Sequence, residues 1–153
     1  MKEWNILLIE DNPAHVLITR EAFEDTQSEN DSYSTEITNV KDGIEALQYL
    51  SSCKSKGVFP DLIIIDINLP QLNGLDLLKK IKSHKDYKQI PSIIVTNGTR
   101  TREIHDAYSR YANAFIIKPF KYDDFLKMIE LMKQFWFEFA TMPTNEIGAL
   151  DGK

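Results

Sequence analysis

Four consecutive aliphatic residues, Leu62–Ile65, stand between two aspartates, Asp61 and Asp66. A run that is apolar at every position has no solvent face, and one this short reads as a strand rather than a helix. Such a strand is covered on both sides, as in a parallel sheet with helices packed on each face. Parallel strands need helical crossovers, so this one stretch points to an α/β fold. The rest of the chain alternates accordingly. Residues 4–9 form an apolar strand, and residues 13–26 follow at helical spacing with Pro13 near the first helical position. Residues 33–40 alternate weakly, like an edge strand. Asp42 can cap a helix over 43–54. After the strand at 61–66, Asn73 or a near neighbour opens a helix to about residue 84, with Leu75, Leu78 and Ile81 on one face. A fourth strand over 90–96 admits Pro91 only near its start. A helix over 100–111, a short strand over 114–118 and a last helix over 122–139 complete five strand–helix pairs.

In open sheets of this kind ligands bind outside the carboxyl ends of the strands. The first strand ends at Glu10 and Asp11, the third at Asp66, the fourth at Thr96 and the fifth at Lys118. A polar residue ending one strand is ordinarily just solvated; polar residues of these types at four strand ends form a set. Three crowded carboxylates repel one another, and one would have to protonate unless a cation shares the site. Carboxylate oxygens select a hard cation; Mg²⁺ fits, with Mn²⁺ as an alternative. A metal with open positions beside an aspartate suits phosphoryl transfer. Asp66 is then the candidate nucleophile and Glu10 with Asp11 the metal-holding pair. Lys118 would hold a phosphoryl oxygen as a point charge, and Thr96 would donate its hydroxyl to another.

Four stretches, "IEDN" (9–12), "DLIIIDINLPQLNG" (61–74), "IIVT" (93–96) and "FIIKPF" (115–120), carry a family resemblance in their order and spacing. The sequence resembles the receiver domains of two-component response regulators over residues 4 to about 139. That resemblance implies a flavodoxin-like receiver fold: a five-stranded parallel sheet of order 2-1-3-4-5 with five helices on both faces. It implies that Asp66 is the phosphoacceptor and that Glu10 and Asp11 handle Mg²⁺. Asp11, Asp66 and the backbone carbonyl of Asn68 would be the direct ligands. Thr96 and Lys118 would read the phosphoryl group, and Phe115 falls at the aromatic switch position that turns inward after phosphorylation. The bond corresponding to Lys118–Pro119 is cis in many members. Two departures stand out. Phe115 replaces the commoner tyrosine, so its ring has no hydroxyl. Gly98, two residues beyond Thr96, offers no side chain to shield an attacking water, whereas Asn68, two beyond Asp66, is polar; these positions tune the lifetime of the acyl phosphate.

Composition sets the remaining bounds. The chain has 153 residues and a net charge of −5, the wrong sign for general nucleic-acid binding. No apolar run approaches the length of a membrane span. One cysteine, Cys53, permits no internal disulfide and reads as a small helix residue. With a strand starting almost at Met1 there is no sign of a secretory leader, so the expected setting is cytoplasmic. Residues 1–140 read as the receiver domain and 141–153 as a short C-terminal tail without an output domain, that is, a stand-alone regulator. The expected partner is a sensor histidine kinase, of phytochrome type by the "FW" ending of the last helix followed by "ATMP". The aromatic residues Phe135, Trp136, Phe137 and Phe139 exceed what one helical stripe can bury. A homodimer through the fourth helix, fifth strand, fifth helix and tail is therefore expected. His15, His84 and His105 are scattered and carry no assigned role. Such a protein is a timed phosphoacceptor switch, phosphorylating and dephosphorylating itself with Mg²⁺, not an enzyme in the turnover sense. Three other readings compete. A flavin binder would need a phosphate-cradling loop where this chain has "EDNPA". An aspartyl-phosphate phosphatase would want a carboxylate at Asn68. A receiver-like scaffold acting without phosphorylation would be expected to lack one of the five key residues, all of which are present.

Overall fold

The structure is a computed structural model and describes residues 1–98 and 100–143. Its elements follow the chain as β1 (Lys2–Ile9), α1 (Pro13–Asp25), β2 (Tyr33–Val40), α2 (Gly43–Lys56), β3 (Leu62–Ile65) and α3 (Gly74–Ser83). Then come β4 (Ser92–Thr96), α4 (Thr101–Ser109), β5 (Ala114–Ile117) and α5 (Tyr122–Lys133). The five strands form one parallel sheet in the order β2-β1-β3-β4-β5. The predicted architecture is therefore observed.

The four aliphatic residues of β3 show why the sheet must be covered on both sides. Ile63 and Ile65 enter one core cluster with residues of α2, α3 and Ala107 of α4, while Leu62 and Ile64 enter the other with residues of α1 and α5. Successive side chains point to opposite faces, so a strand at the middle of such a sheet must be apolar at every position. Cys53 is buried in the first cluster. Local chemistry starts the helices. Asn12 Oδ1 accepts the Ala14 N–H at 2.9 Å, Asp42 Oδ1 accepts that of Glu45 at 2.8 Å, and Asn73 Oδ1 that of Asp76 at 3.0 Å. Each side chain satisfies one amide that the helix itself leaves without a partner.

Several boundaries differ from the sequence reading. β1 begins at Lys2, because its first residues pair with β2 from Lys2↔Tyr33 onward. β4 begins at Ser92, after Pro91, whose ring has no amide to give to a ladder. α4 is shorter at both ends than 100–111. Lys118–Pro119 is trans, as are all described peptide bonds. The largest difference is at the end: α5 stops at Lys133 and the chain continues as a π-helical turn, Gln134–Phe139. A π turn inserts an extra residue per turn, so the buried stripe Phe125, Ile129, Met132 continues to Phe137, where the spacing of a regular helix would carry it to Phe135 or Trp136. Phe137 stacks on Trp4 with ring centroids 5.0 Å apart and meets Tyr33 edge-on at 5.7 Å. Phe135 and Phe139 are exposed. The tail reading falls largely on residues 144–153, which lie outside the described residues.

Candidate phosphoacceptor site

The strand order reverses direction between β1 and β3, and the carboxyl ends of these two strands open the crevice where a site is expected. β3 is held level with β1 there: the Asp66 N–H donates to the Ile9 carbonyl at 3.1 Å. On the other side the Glu10 N–H donates to Val40 O at 3.0 Å, and the Asn39 amide donates to the carbonyls of Leu8, Glu10 and Val40. The strand end that carries the acidic pair is thus fixed before any ligand arrives. The loop after β3 is closed by Gly74, whose N–H donates to Ile67 O at 2.9 Å. A Cβ at Gly74 would overlap the Asp66 carbonyl oxygen, so the close return of α3 onto the strand end requires glycine.

Glu10, Asp11 and Asp66 each place a carboxylate oxygen within 4.8 Å of the others. Glu10 and Asp66 are buried and Asp11 is exposed, so one side of the cluster faces solvent. Three carboxylates this close, on a hard oxygen donor set with an open face, fit a divalent cation such as Mg²⁺ and fit few other ligands. Thr96 is fully buried and its hydroxyl donates to Asp66 Oδ1 at 3.1 Å. The Asn68 N–H reaches the same oxygen at 3.2 Å, while the Asn68 side chain is exposed. Asp66 is thereby held by a hydroxyl and an amide.

Lys118 joins the cluster through a different carboxylate. Its Nζ lies 3.0 Å from Glu10 Oε1, and the side chain lines one small cavity with Glu10 and Asp66. Phe115 is not brought to the acids. It stands three residues before Lys118 on β5, half-buried against the α2–α3 side of the core. His15, which the sequence left without a role, has its Nδ1 3.3 Å from Glu10 Oε1. The signal was available: His15 lies one helical turn past Asp11, on the end of α1 that faces the site. A cleft of about 200 Å³ opens beside the cluster between α1 and the β5–α5 turn, lined by His15, Ile18, Lys118, Phe120 and Tyr122 among others. Tyr122 is pinned at its edge by a 2.8 Å hydrogen bond to Asp25, which pushes the phenol pKa up to about 12.

Known proteins resemble this chain in sequence and in fold. A probable methanogenesis regulatory protein of Methanothrix harundinacea, FilR2, is 31% identical over 139 residues, covering 90% of this chain and 86% of the relative. Response regulator Rcp1 of Synechocystis is 28% identical over 143 residues, covering 90% of this chain and 92% of that protein. The crystal structure of the Mn²⁺-bound form of Rcp1 superposes with a TM-score of 0.80 at 27% identity, covering 92% of this chain and 99% of that one. The phosphorylated cyanobacterial phytochrome response regulator RcpA superposes with a TM-score of 0.83 at 30% identity, covering 93% of this chain and 99% of that one. The response regulator receiver domain model matches residues 6–130. With that match spanning most of its length, the chain belongs to the response regulator receiver family of two-component signalling.

Proposed function

We propose that this receiver accepts a phosphoryl group on Asp66 from a phosphohistidine of a sensor histidine kinase, in a reaction that requires Mg²⁺. The observation that carries the proposal is the meeting of three carboxylates within 4.8 Å, with the Thr96 hydroxyl already on Asp66. Asp11, Asp66 and the Asn68 carbonyl would hold the cation directly, with Glu10 behind them. Bound there, the cation offsets charge on the carboxylates and on the phosphoryl oxygens. An Asp66 carboxylate oxygen forms the new bond to phosphorus as the donor's N–P bond breaks in line. Thr96 releases Asp66 Oδ1 and donates to a phosphoryl oxygen, and Lys118 exchanges Glu10 for another. Phe115 then turns into the space that Thr96 vacates, biasing the α4–β5–α5 surface between two states. Water ends the signal. A Cβ at Gly98 would meet nothing within 4 Å, so that flank of the site leaves room for water to reach phosphorus.

The kinase is of phytochrome type on this reading, supported by the likeness to Rcp1 and to the phytochrome regulator RcpA. A protein donor also suits the rim of the site, where Ile18 and Phe120 are exposed. On this reading residues 1–140 form the receiver switch. Tyr108 of α4, Ile117 of β5 and Leu131 of α5, with Tyr111 in the turn before β5 and Phe135 in the π turn, are all exposed and support a homodimer through that face. The setting on this reading is cytoplasmic; among the described residues no helix is long and apolar enough to cross a membrane.

Intact mass after incubation with a small phosphodonor tests the chemistry. One phosphoryl group is expected on the wild type with Mg²⁺, none with excess chelator, and none on Asp66→Asn. Labelling of Asp66→Asn would remove Asp66 from its role. A wild type that takes no label from small donors or from a kinase would favour a scaffold acting without phosphorylation.

A further inference from the structure

The ring of Phe115 carries no hydroxyl, but its backbone N–H meets a phenol. Tyr108 of α4 accepts the backbone N–H of Phe115 on its Oη at 3.1 Å. β5 is the last strand of the sheet, so one of its sides has no neighbouring strand. The Lys118 N–H points to β4, donating to Thr96 O at 2.7 Å. Amides alternate sides along a strand, so the Phe115 N–H, three residues earlier, points to the open edge. The Tyr108 hydroxyl therefore fills a position that a sixth strand would otherwise take.

α4 is lightly packed. Of its nine residues only Ala107 is buried. Beyond the turn that leads into β5, its end is held by Arg110, whose Nη1 lies 3.3 Å from Asp76 Oδ1 at the surface. Within that turn Tyr111 has φ 68°, a left-handed conformation disfavoured for a residue with a Cβ. An element with one buried side chain and a disfavoured exit is drawn from the low-stability end of a fold. It is also the first element after Thr96 in the chain.

We propose that Tyr108 is a positioning residue of the switch: its hydroxyl latches α4 to the Phe115 backbone in the unphosphorylated molecule, and the latch opens when Thr96 moves to the phosphoryl group. This rests on the reading of Asp66 as phosphoacceptor. A contact made only in the resting state biases the equilibrium toward it. Removing the hydroxyl while keeping the ring therefore favours the active state. The bond lies at the surface, where water can replace it, so the shift is at the low end for one hydrogen bond, about threefold.

The test compares wild type with Tyr108→Phe by amide exchange at Phe115, with and without Mg²⁺ plus beryllofluoride as the phosphoryl stand-in. In the wild type the Phe115 amide is expected to be protected, and to lose protection when beryllofluoride binds. In Tyr108→Phe it exchanges fast in both states, and beryllofluoride binds about threefold more tightly. A substitution that merely loosened the fold would not tighten that binding. Equal Phe115 protection in both proteins overturns the latch. Persistent protection in beryllofluoride-bound wild type makes the bond structural only and overturns its opening. If beryllofluoride shifts no amide near Asp66, the phosphoacceptor reading falls and the opening step with it. The comparison of the two proteins without beryllofluoride still decides the hydroxyl bond.

Discussion

Lys118 Nζ lies 3.0 Å from Glu10 Oε1, joining residues 108 positions apart in the sequence. Both side chains are largely buried, so the pair has little water to fall back on when either partner is removed. In Lys118→Met, Glu10 keeps, among the described residues, His15 and the Asn12 N–H. The expected loss is about 2 kcal/mol, below the usual cost of orphaning a buried charge because these two donors remain. A divalent cation at the acid cluster supplies the missing charge. Thermal melts should therefore show a lower midpoint for Lys118→Met without Mg²⁺, and a larger rise on adding Mg²⁺ than in the wild type. Equal responses to Mg²⁺ would mean that the cation and Lys118 do not share Glu10.

Gly74→Ala tests how the strand end is shaped. A methyl group there would overlap the Asp66 carbonyl oxygen and stand 2.8 Å from Ile67 Cα, both of them backbone atoms that cannot swing aside. Alanine is the better helix former by about 1 kcal/mol, so propensity alone favours the substitution. Overlap with backbone outweighs it: a net loss of about 2 kcal/mol or more is expected by urea unfolding, with weaker Mg²⁺ binding because Asp66 is displaced. A neutral or stabilising result would show that α3 can slide away from β3 at little cost.

Most of this site can be read from the chain because one physical pattern fixes it. A short strand apolar at every position is buried on both faces, so its first polar successor lands at the carboxyl edge. That rule places Asp66 and, from the other strands, Glu10, Asp11, Thr96 and Lys118. What it cannot supply is which partner each side chain chooses. The sequence puts Lys118 at the same sheet edge as three carboxylates, and only the packing shows that it pairs with Glu10. The spacing of His15 from Asp11 puts it near the rim, but only the folded helix shows that its ring meets Glu10. The end of the last helix misleads for a different reason. Periodicity assumes 3.6 residues per turn, and the π turn at Gln134–Phe139 breaks that count.

The π turn makes a contrast between two phenylalanines two residues apart. Phe137 is buried between Trp4 and Tyr33, whereas Phe139 is 78% exposed. Phe137→Ala should cost about 3–4 kcal/mol, the range for a buried aromatic, and Phe139→Ala less than about 0.5. Denaturant midpoints of the two variants read this directly. Were the helix regular, Phe135 or Trp136 would take the larger loss instead.

Lys82 gives a pH dependence far from the site. Its Nζ donates to the carbonyls of Lys88 and Ile90 and to Asn113 Oδ1, all at 2.9–3.0 Å and none of them charged. Burial pushes its pKa down to about 8, from 10.5 for the free side chain. Below pH 8 both folded and unfolded chains hold the proton, and the desolvation cost is present in full. Between about 8 and 10.5 the unfolded chain keeps a proton that the folded chain has released. Stability then rises with pH, since the unfolded state binds more protons there. The three acceptors favour the ammonium and limit the gain to about 1–2 kcal/mol across that range. Other lysines and tyrosines titrate in the same window, so the readout is a difference. Urea unfolding of wild type and Lys82→Met from pH 7.5 to 10 should give curves that diverge above pH 8, with the wild type gaining. Parallel curves would mean that three hydrogen bonds fully compensate the burial of this charge.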